Sequence, residues 1–210
     1  ENNYFYRCDG ETECVSNKSC ANIYRGNVFV EVQGTLTLRH GNRCLVEKNV
    51  FLGNGQKQTG GIRVIGEDHQ ILDNHLQDLE GDGFRTAIAV LNGIPDSPLN
   101  GYFQVKNALI RGNTMLNCEH SLLLGYNDDA EATLPPVGTR IEGNRIATRS
   151  NEPAVNTTLP PDSFTWKDNL VRAGKLGLPE NPGLTLNDTL EITPRTAPDP
   201  KTFGPSWTLP

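Results

Sequence analysis

The feature that most constrains this chain is a short recurring pattern: an asparagine, any residue, and then an apolar residue. The repeated asparagines are Asn3, Asn27, Asn49, Asn74, Asn113, Asn144 and Asn169. The steps between them are 24, 22, 25, 39, 31 and 25 residues, so most steps are close to two dozen. A repeat of this length is typical of a solenoid, in which each coil must stack on its neighbours to bury its apolar side.

The segments between the asparagines resemble short strands. Apolar and polar residues alternate in Thr35–Arg39, while Ile62–Ile65 and Ala87–Val90 are further short apolar segments, and no stretch keeps a helical period over a dozen residues. Short strands with one asparagine per coil predict an all-β parallel β-helix. We expect the asparagines to occupy one corner and to bond amide to amide along the stack, which is a structural role.

Two steps of the repeat are long, and both contain loop-forming residues. The segments 92–101 and 127–136 are rich in Gly, Pro, Asn and Asp, so we interpret them as loop insertions in the solenoid. Such loops either wall a binding groove or are neutral decoration. After about Lys175 the repeat gives way to proline-rich sequence. We therefore predict a β-helix over 1–175 and a C-terminal cap or linker tail over 176–210.

Composition narrows the classes of function. The 210 residues carry a net charge of -6, which argues against a nucleic-acid binder, and no apolar run is long enough to span a membrane. The five cysteines are an odd number and none forms a CxxC pair, so reduced thiols, mostly buried, are favoured over disulfides and zinc is not indicated. The cysteines are Cys8, Cys14, Cys20, Cys44 and Cys118.

Stacking turns steps of one coil into spatial neighbours. Lys18 to Arg39 is 21 residues, Arg39 to Arg63 is 24, and Arg63 to Arg85 is 22. In alternating strands these side chains should point outward, because their apolar neighbours point inward. The spacing predicts a ladder of cations on one face, which would bind a polyanion lying along the helix axis. The alternative is an ordinary solvated face.

Two carboxylates and a histidine accompany this basic ladder. Glu11 and Glu13 are separated by one residue, so both should point outward from the first coil, and His40 borders the same face. The carboxylates could ligate a hard cation such as calcium, or could form salt bridges to Lys18 and Arg39. The spacing alone does not favour either use.

Five segments of the chain resemble the active-site region of polysaccharide lyase family 6. They are Glu11–Glu13, Ser16–Ser19, Gly34–Asn42, Gly60–His69 and Leu99–Val105. Members of that family are alginate lyases and chondroitinase B-type enzymes that cleave dermatan sulfate, and they are built on right-handed parallel β-helices. The likeness extends over most of the chain. It implies that this chain is a right-handed parallel β-helix with lyase activity.

The resemblance also implies roles for individual residues. Glu11 and Glu13 would ligate Ca²⁺, Lys18 would be the general base, Arg39 the general acid, and Arg63 would hold a substrate carboxylate. His40 and Arg85, which border or extend the same basic face, are further candidates for substrate binding.

One family feature has no counterpart in this sequence. The family takes a third calcium ligand, an asparagine, from about one coil further upstream than this chain reaches. We therefore expect the chain to be the C-terminal part of a larger catalytic domain, with the N-terminal coils as a partner in the same protein. The resemblance further implies a bacterial protein that is secreted or periplasmic.

Several functions agree with these observations. The segments around Arg63 and Tyr102 look more like alginate-active members, so calcium-assisted β-elimination of alginate is the leading hypothesis and dermatan sulfate the second substrate. A non-catalytic, calcium-dependent glycan-binding β-helix is an alternative from a different class. A β-helical hydrolase would need paired acids at a suitable separation, and the Asp128-Asp129 pair falls in a proline-flanked loop.

Overall fold

The computed structural model of the chain describes residues 1–127, 129–149, 151–179, 181 and 183–204. Within these residues there is no α-helix, and the helical segments are three single 3₁₀ turns, Gly83–Arg85, Pro161–Ser163 and Pro200–Thr202. The strands in chain order are β1 (Tyr4–Tyr6), β2 (Glu13–Lys18), β3 (Ile23–Arg25), β4 (Val28–Val30), β5 (Gly34–His40), β6 (Leu45–Glu47), β7 (Val50–Leu52), β8 (Thr59–Val64), β9 (Gln70–Leu72), β10 (His75–Gln77), β11 (Ile88–Leu91), β12 (Leu109–Arg111), β13 (Thr114–Leu116), β14 (Leu122–Tyr126), β15 (Arg140–Glu142), β16 (Arg145–Ala147), β17 (Val155–Thr157), β18 (Thr165–Lys167), β19 (Asn169–Arg172) and β20 (Leu184–Leu186).

These strands form parallel sheets that run the length of the molecule. In the described residues, sheet 1 has the order β1-β4-β7-β10-β13-β16-β19-β20, sheet 2 has the order β17-β14-β11-β8-β5-β2, and sheet 3 has the order β18-β15-β12-β9-β6-β3. Each strand therefore pairs with the strand one coil away, and successive strands from β1 to β19 lie in different sheets, while β20 joins β19 in sheet 1. This topology confirms the predicted parallel β-helix.

The repeated asparagines form a continuous ladder at the corner between sheets 3 and 1. Each Nδ2 donates to the Oδ1 of the asparagine one coil further along, from Asn3 to Asn27 at 2.9 Å through to Asn144 to Asn169 at 2.8 Å. The same Oδ1 also accepts a backbone N–H, as Asn113 does from Asn74. Because every asparagine after the first is buried, these bonds satisfy amides that would otherwise be costly to bury. The predicted structural role is confirmed.

Apolar side chains of the sheets fill the interior in rows. Leu36, Ile62 and Ile88 pair in register along sheet 2 and are almost fully buried. In sheet 1, the ring of Phe29 stacks on Phe5 at 4.6 Å and on Phe51 at 4.5 Å. In these rows each apolar residue pairs with an apolar residue of the neighbouring coil, so each coil covers the apolar side chains of the next.

The cysteines are all in the thiol form. Cys44 and Cys118 are buried in the core, Cys14 is half-buried, and Cys8 and Cys20 are exposed. The expected burial therefore applies only to part of the set, and the reduced state of these thiols stays a prediction. Among the described residues, no helix has the length and apolar character that a membrane crossing requires.

The C-terminal segment first extends sheet 1 and then turns back along it. Strand β20 pairs with β19, and Leu184 and Leu190 are buried against the last coil. Further on, the backbone N–H of Arg195 donates to the side chain of Gln77 in β10 at 2.8 Å, and Phe203 reaches Tyr4 of β1. The tail thus covers the outer face of sheet 1 as well as the last coil.

The boundary that we placed after Lys175 stays a prediction. Residues 205–210 of the tail and Asp128, one of the acids considered for a hydrolase, lie outside the described residues.

Two buried histidines should make the folded protein less stable in acid. Burial lowers the pKa of His69 and of His75 below the ordinary value, so both are neutral in the folded protein. The unfolded chain binds protons first as pH falls through about 6.5. The contribution of these two histidines to the free energy of unfolding should therefore be constant above that pH and should decrease below it, as measured by urea unfolding across a pH series.

A variant tests whether His75 contributes to this dependence. His75 Nε2 lies 3.0 Å from Oε1 of Gln77, and neighbouring Arg195 adds a further, smaller lowering of its pKa. His75→Gln removes the titrating ring, so its unfolding free energy should fall less steeply in acid than that of the unmodified protein. Equal slopes would show that His75 is not a source of the acid sensitivity.

Candidate active site

The charged residues singled out from the sequence gather on the first coils of sheet 2. Glu13 and Lys18 are the first and last residues of β2, and Arg39 and His40 end the neighbouring strand β5. Arg63 lies on β8, the next strand of the same sheet. The stacking of coils, which the repeat predicted, is therefore what brings these segments together.

A register shift between β2 and β5 explains how two consecutive side chains reach Lys18. Asn17 pairs with Leu38, but Lys18 pairs with His40, which leaves Arg39 as an extra residue. Irregularities of this kind redirect side chains at the end of a strand. Here the result is that Arg39 and His40 both lie beside Lys18.

The same register corrects the ladder of cations expected from equal sequence steps. Arg63 pairs with Thr37, two residues before Arg39, and Arg85 lies in the 3₁₀ turn that precedes β11. Equal steps did not produce equal positions, because the register shifts and the turn at Gly83–Arg85 change which residues lie side by side. Lys18, Arg39 and Arg63 therefore lie towards the ends of their strands, and Arg85 lies before the start of the next one. The four cations do not form a straight row along the helix axis.

Three open depressions on the surface of sheet 2 are lined by the charged residues of the site. The central one, of about 380 Å³, is lined by Glu11, Thr12, Glu13, Ser16, Lys18 and Arg39. Glu11 also lines a second depression at the start of the strands, with Gln33, Gln58 and Arg85. Lys18 also lines a third at the end of the strands, with His40, Leu99 and Phe103. The groove thus follows the strand direction, across the helix axis.

Glu13 is held between two arginines at the edge of the central depression. Its Oε1 lies 3.4 Å from Nη1 of Arg39 and 3.6 Å from Nη1 of Arg63. The side chain of Arg63 is 3% exposed and that of Arg39 is 28% exposed. Glu13 was considered both as a calcium ligand and as a salt-bridge partner of Lys18 and Arg39. The structure contains the salt bridge to Arg39.

The first loop insertion forms one wall of the site. Tyr102, which directly follows this loop, accepts hydrogen bonds from Nη1 of Arg39 at 3.0 Å and from Nη2 of Arg63 at 2.8 Å. The guanidinium of Arg63 also lies over the rings of Phe84, at 4.6 Å, and of Tyr102, at 5.2 Å. Leu99 of this loop also lines a depression together with Lys18 and His40, so the loop forms one side of the groove.

His40 is neutral at the site. Burial lowers its pKa below the ordinary value, and the neighbouring charges of Arg39 and Lys18 lower the pKa further. Its Nδ1 is buried and has no hydrogen-bond partner in the described part of the chain. A neutral imidazole beside Lys18 adds no further positive charge to the depression.

Asn17 is a site residue that sequence reasoning did not single out. It is 3% exposed and points away from the depression, into the coil. Its Nδ2 donates to the backbone oxygens of Ser19 and His40, both at 2.9 Å. Asn17 therefore fixes the end of β2, where Lys18 is located, against the end of β5. Its place in the Ser-Asn-Lys-Ser segment was the only signal of this role.

The depression offers two side chains that are chemically suitable as calcium ligands. Glu11 and Glu13 both line the central depression, and carboxylate oxygens are the ligands that calcium prefers. The described residues contain no group of three or more acidic, histidine or cysteine side chains that could hold a metal. These two carboxylates can therefore supply part of a coordination shell, and backbone, water or substrate oxygens would supply the rest.

Comparison with solved structures shows which class of protein has this fold. The chain matches the polysaccharide lyase family 6 alginate lyase AlyGC with 42% identity and a TM-score of 0.82, over 89% of this chain and 25% of that chain. It matches a mannuronic acid-specific family 6 lyase from human gut microbiota with 28% identity and a TM-score of 0.73, over 89% and 43%. A family 6 alginate lyase in complex with a trisaccharide matches with 28% identity and a TM-score of 0.72, over 83% and 42%.

The architecture is thus that of the parallel β-helix polysaccharide lyases. The sequence profile of the chondroitinase B family matches residues 1–198, and the chain belongs to this family and, with the relatives above, to polysaccharide lyase family 6. The predicted resemblance is confirmed. Among curated protein sequences none matches this chain. The chain spans about a quarter of the length of AlyGC.

Proposed function

We propose that the protein is a lyase that cleaves alginate, a uronate polysaccharide, by β-elimination. The observation that carries this proposal is a single depression lined by Lys18, Arg39 and two carboxylates. Support comes from the family 6 relatives, several of which are alginate lyases. Because such polymers lie outside the cytoplasm, we also propose that the protein is secreted or periplasmic.

Lys18 is the proposed base. Elimination requires a group that takes the proton from C5 of the uronate, after which the C4–O4 bond breaks and a C4=C5 double bond forms. Lys18 is exposed at the end of β2 and lines both the central depression and the one beyond it, so a sugar in the groove meets its amine. The amine must be unprotonated to act in this way.

Arg39 is proposed to stabilise the departing O4 oxygen. A guanidinium presents several N–H donors but does not release a proton under ordinary conditions, so a hydrogen bond to the developing negative charge is its natural contribution. His40 is neutral, which makes it a weak proton donor. Water held beside Arg39 is therefore the proposed source of the proton that O4 finally takes.

The substrate carboxylate must also be neutralised, because this makes the C5 proton acidic. Glu11 and Glu13 are the proposed calcium ligands, and a bound calcium ion supplies Lewis-acid polarisation of that carboxylate. The resemblance implies that Arg63 holds a substrate carboxylate, but its side chain is 3% exposed and is covered by Phe84 and Tyr102. We therefore propose that Arg63 acts indirectly, through its ion pair with Glu13. Arg85, at the strand-start end of the groove, is the proposed contact for a neighbouring uronate.

The experiment that tests the proposal follows the ultraviolet absorbance of the unsaturated product. Polymannuronate, polyguluronate and dermatan sulfate are each incubated with the protein, and binding is measured in parallel by calorimetry. Absorbance on the alginate blocks supports the proposal, and absorbance on dermatan sulfate alone supports the second substrate, which the family name favours. Binding without absorbance would identify a non-catalytic glycan-binding protein.

Calcium dependence gives a separate prediction. Removal of calcium with a chelator should lower the rate of elimination, and added calcium should restore it. Glu11→Gln should weaken calcium binding about tenfold, because calcium affinity follows the number of charged ligands. Calorimetric titration with calcium measures this change directly. Glu131→Gln, the same substitution at an exposed position of the second loop insertion, is the matched control.

Equal calcium affinities of the two variants and the unmodified protein would rule out Glu11 as a ligand. Activity that persists in chelator would show in addition that calcium is not needed to neutralise the substrate carboxylate.

A further inference from the structure

Tyr102 connects the two arginines of the site through one oxygen atom. The hydroxyl oxygen lies 3.0 Å from Nη1 of Arg39 and 2.8 Å from Nη2 of Arg63. A guanidinium has donors and no acceptor, so the tyrosine oxygen accepts both bonds. Bonds from a charged donor are shorter and stronger than those between neutral groups.

The ring of Tyr102 also contacts both guanidinium groups. Their Cζ atoms lie 4.8 Å from its centroid for Arg39 and 5.2 Å for Arg63, within the range of a cation–π interaction. Arg63 is in addition covered by Phe84 and is almost fully buried. It is therefore the fixed member of the pair, against which Tyr102 can hold the more exposed Arg39.

Arg39 needs such support if it is to act at one position. A long side chain that is free to rotate loses conformational entropy when it is ordered, which opposes a single fixed position. A group that must meet a developing charge is effective only if its position is set beforehand. In the structure, Glu13 holds Arg39 at 3.4 Å from one side, and Tyr102 provides both a hydrogen bond and a ring face from the loop.

We propose that Tyr102 is a positioning residue, which sets the orientation of Arg39 in the groove by linking it to the buried Arg63. The proposal rests on the proposed function, since Arg39 is the group that meets the departing oxygen. Tyr102 acts through Arg39 and not on the sugar, and the segment that directly follows the first loop insertion thereby supports the catalytic group.

A purely structural role for Tyr102 is the competing explanation. Its ring packs on the outer apolar cluster of sheet 2, which includes Ile65, Ala89 and Leu91. Tyr102→Phe separates the two roles, because it keeps the ring and its packing but removes the oxygen that accepts both hydrogen bonds. Tyr126→Phe is the matched control, since Tyr126 packs against the same cluster.

The test measures kcat, KM and the unfolding temperature of Tyr102→Phe on alginate oligomers. We expect kcat to fall about tenfold, with little change in KM, because the orientation of Arg39 is lost and not the binding of the sugar. The unfolding temperature should remain close to that of the unmodified protein. In an Arg39→Ala background, Tyr102→Phe should cause no further loss, since the group on which it acts is gone.

A second measurement does not depend on activity. NMR relaxation of the labelled Nε of Arg39 should report a more mobile guanidinium in Tyr102→Phe than in Tyr126→Phe. An unchanged kcat together with an equally ordered Arg39 would overturn the proposal, as would an additive loss in the Arg39→Ala background. If the unmodified protein cleaves no uronate polymer, the proposed function fails, and the relaxation measurement alone decides whether Tyr102 positions Arg39.

Discussion

Lys18→Ala is expected to lower kcat for elimination by roughly 100- to 10,000-fold, the range that a positioned general base contributes. Lys18 is exposed at the end of β2 and its side chain lies outside the core, so the fold should be retained. The measurement is the initial rate of absorbance increase on alginate, with the unfolding temperature recorded for the same samples.

Two further variants make this result specific to proton removal. Lys18→Arg keeps the positive charge but introduces a group that does not deprotonate, so its loss should match that of Lys18→Ala. Lys167→Ala removes an exposed lysine from sheet 3, on a different face of the coil, and should leave the rate unchanged. If Lys18→Arg retained most of the activity, Lys18 would act by its charge, and the base would have to be another group.

The fold could be predicted because the asparagine repeat reports it directly. A buried amide that bonds to the same residue one coil away requires a nearly constant number of residues per coil, and this constancy is visible in the sequence. Asn74 and Asn113 bond to each other although 39 residues separate them, since the loop insertion leaves and returns at the same corner. The course of the tail back to Tyr4 had no such signal, because it depends on non-repeating contacts.

The site could be predicted only in part. The repeat places Lys18 near Arg39, but the extra residue in β5, which brings both Arg39 and His40 to Lys18, depends on local backbone geometry. Tyr102 is 63 residues from Arg39, in a loop outside the repeat, so no periodicity connects the two. The direction of the groove likewise follows from side chains at the starts and ends of strands, which the pattern of coils does not describe.

The cluster around Glu13 has a consequence for how Arg39 works. Glu13 shares its carboxylate between Arg39 and Arg63, so the charge of Arg39 is partly compensated before any substrate arrives. A partly compensated guanidinium attracts the substrate in its resting state less strongly than a free one would. Its larger contribution is therefore expected when negative charge develops on the departing oxygen, which is the condition for catalysis by differential binding.

Arg39→Ala should accordingly lower kcat by roughly 100- to 1,000-fold, as the loss of a donor to a developing oxyanion does, while KM changes little. Arg39→Lys keeps the charge but loses the planar set of donors, so an intermediate kcat is expected. Arg111→Ala, at an exposed position of β12 in sheet 3, is the control. Glu13 retains its ion pair with Arg63 in both Arg39 variants, so the unfolding temperature should change little. An increase in KM with unchanged kcat would instead assign Arg39 to binding of the ground state, and the stabilisation of the leaving oxygen would then belong to another group in the depression.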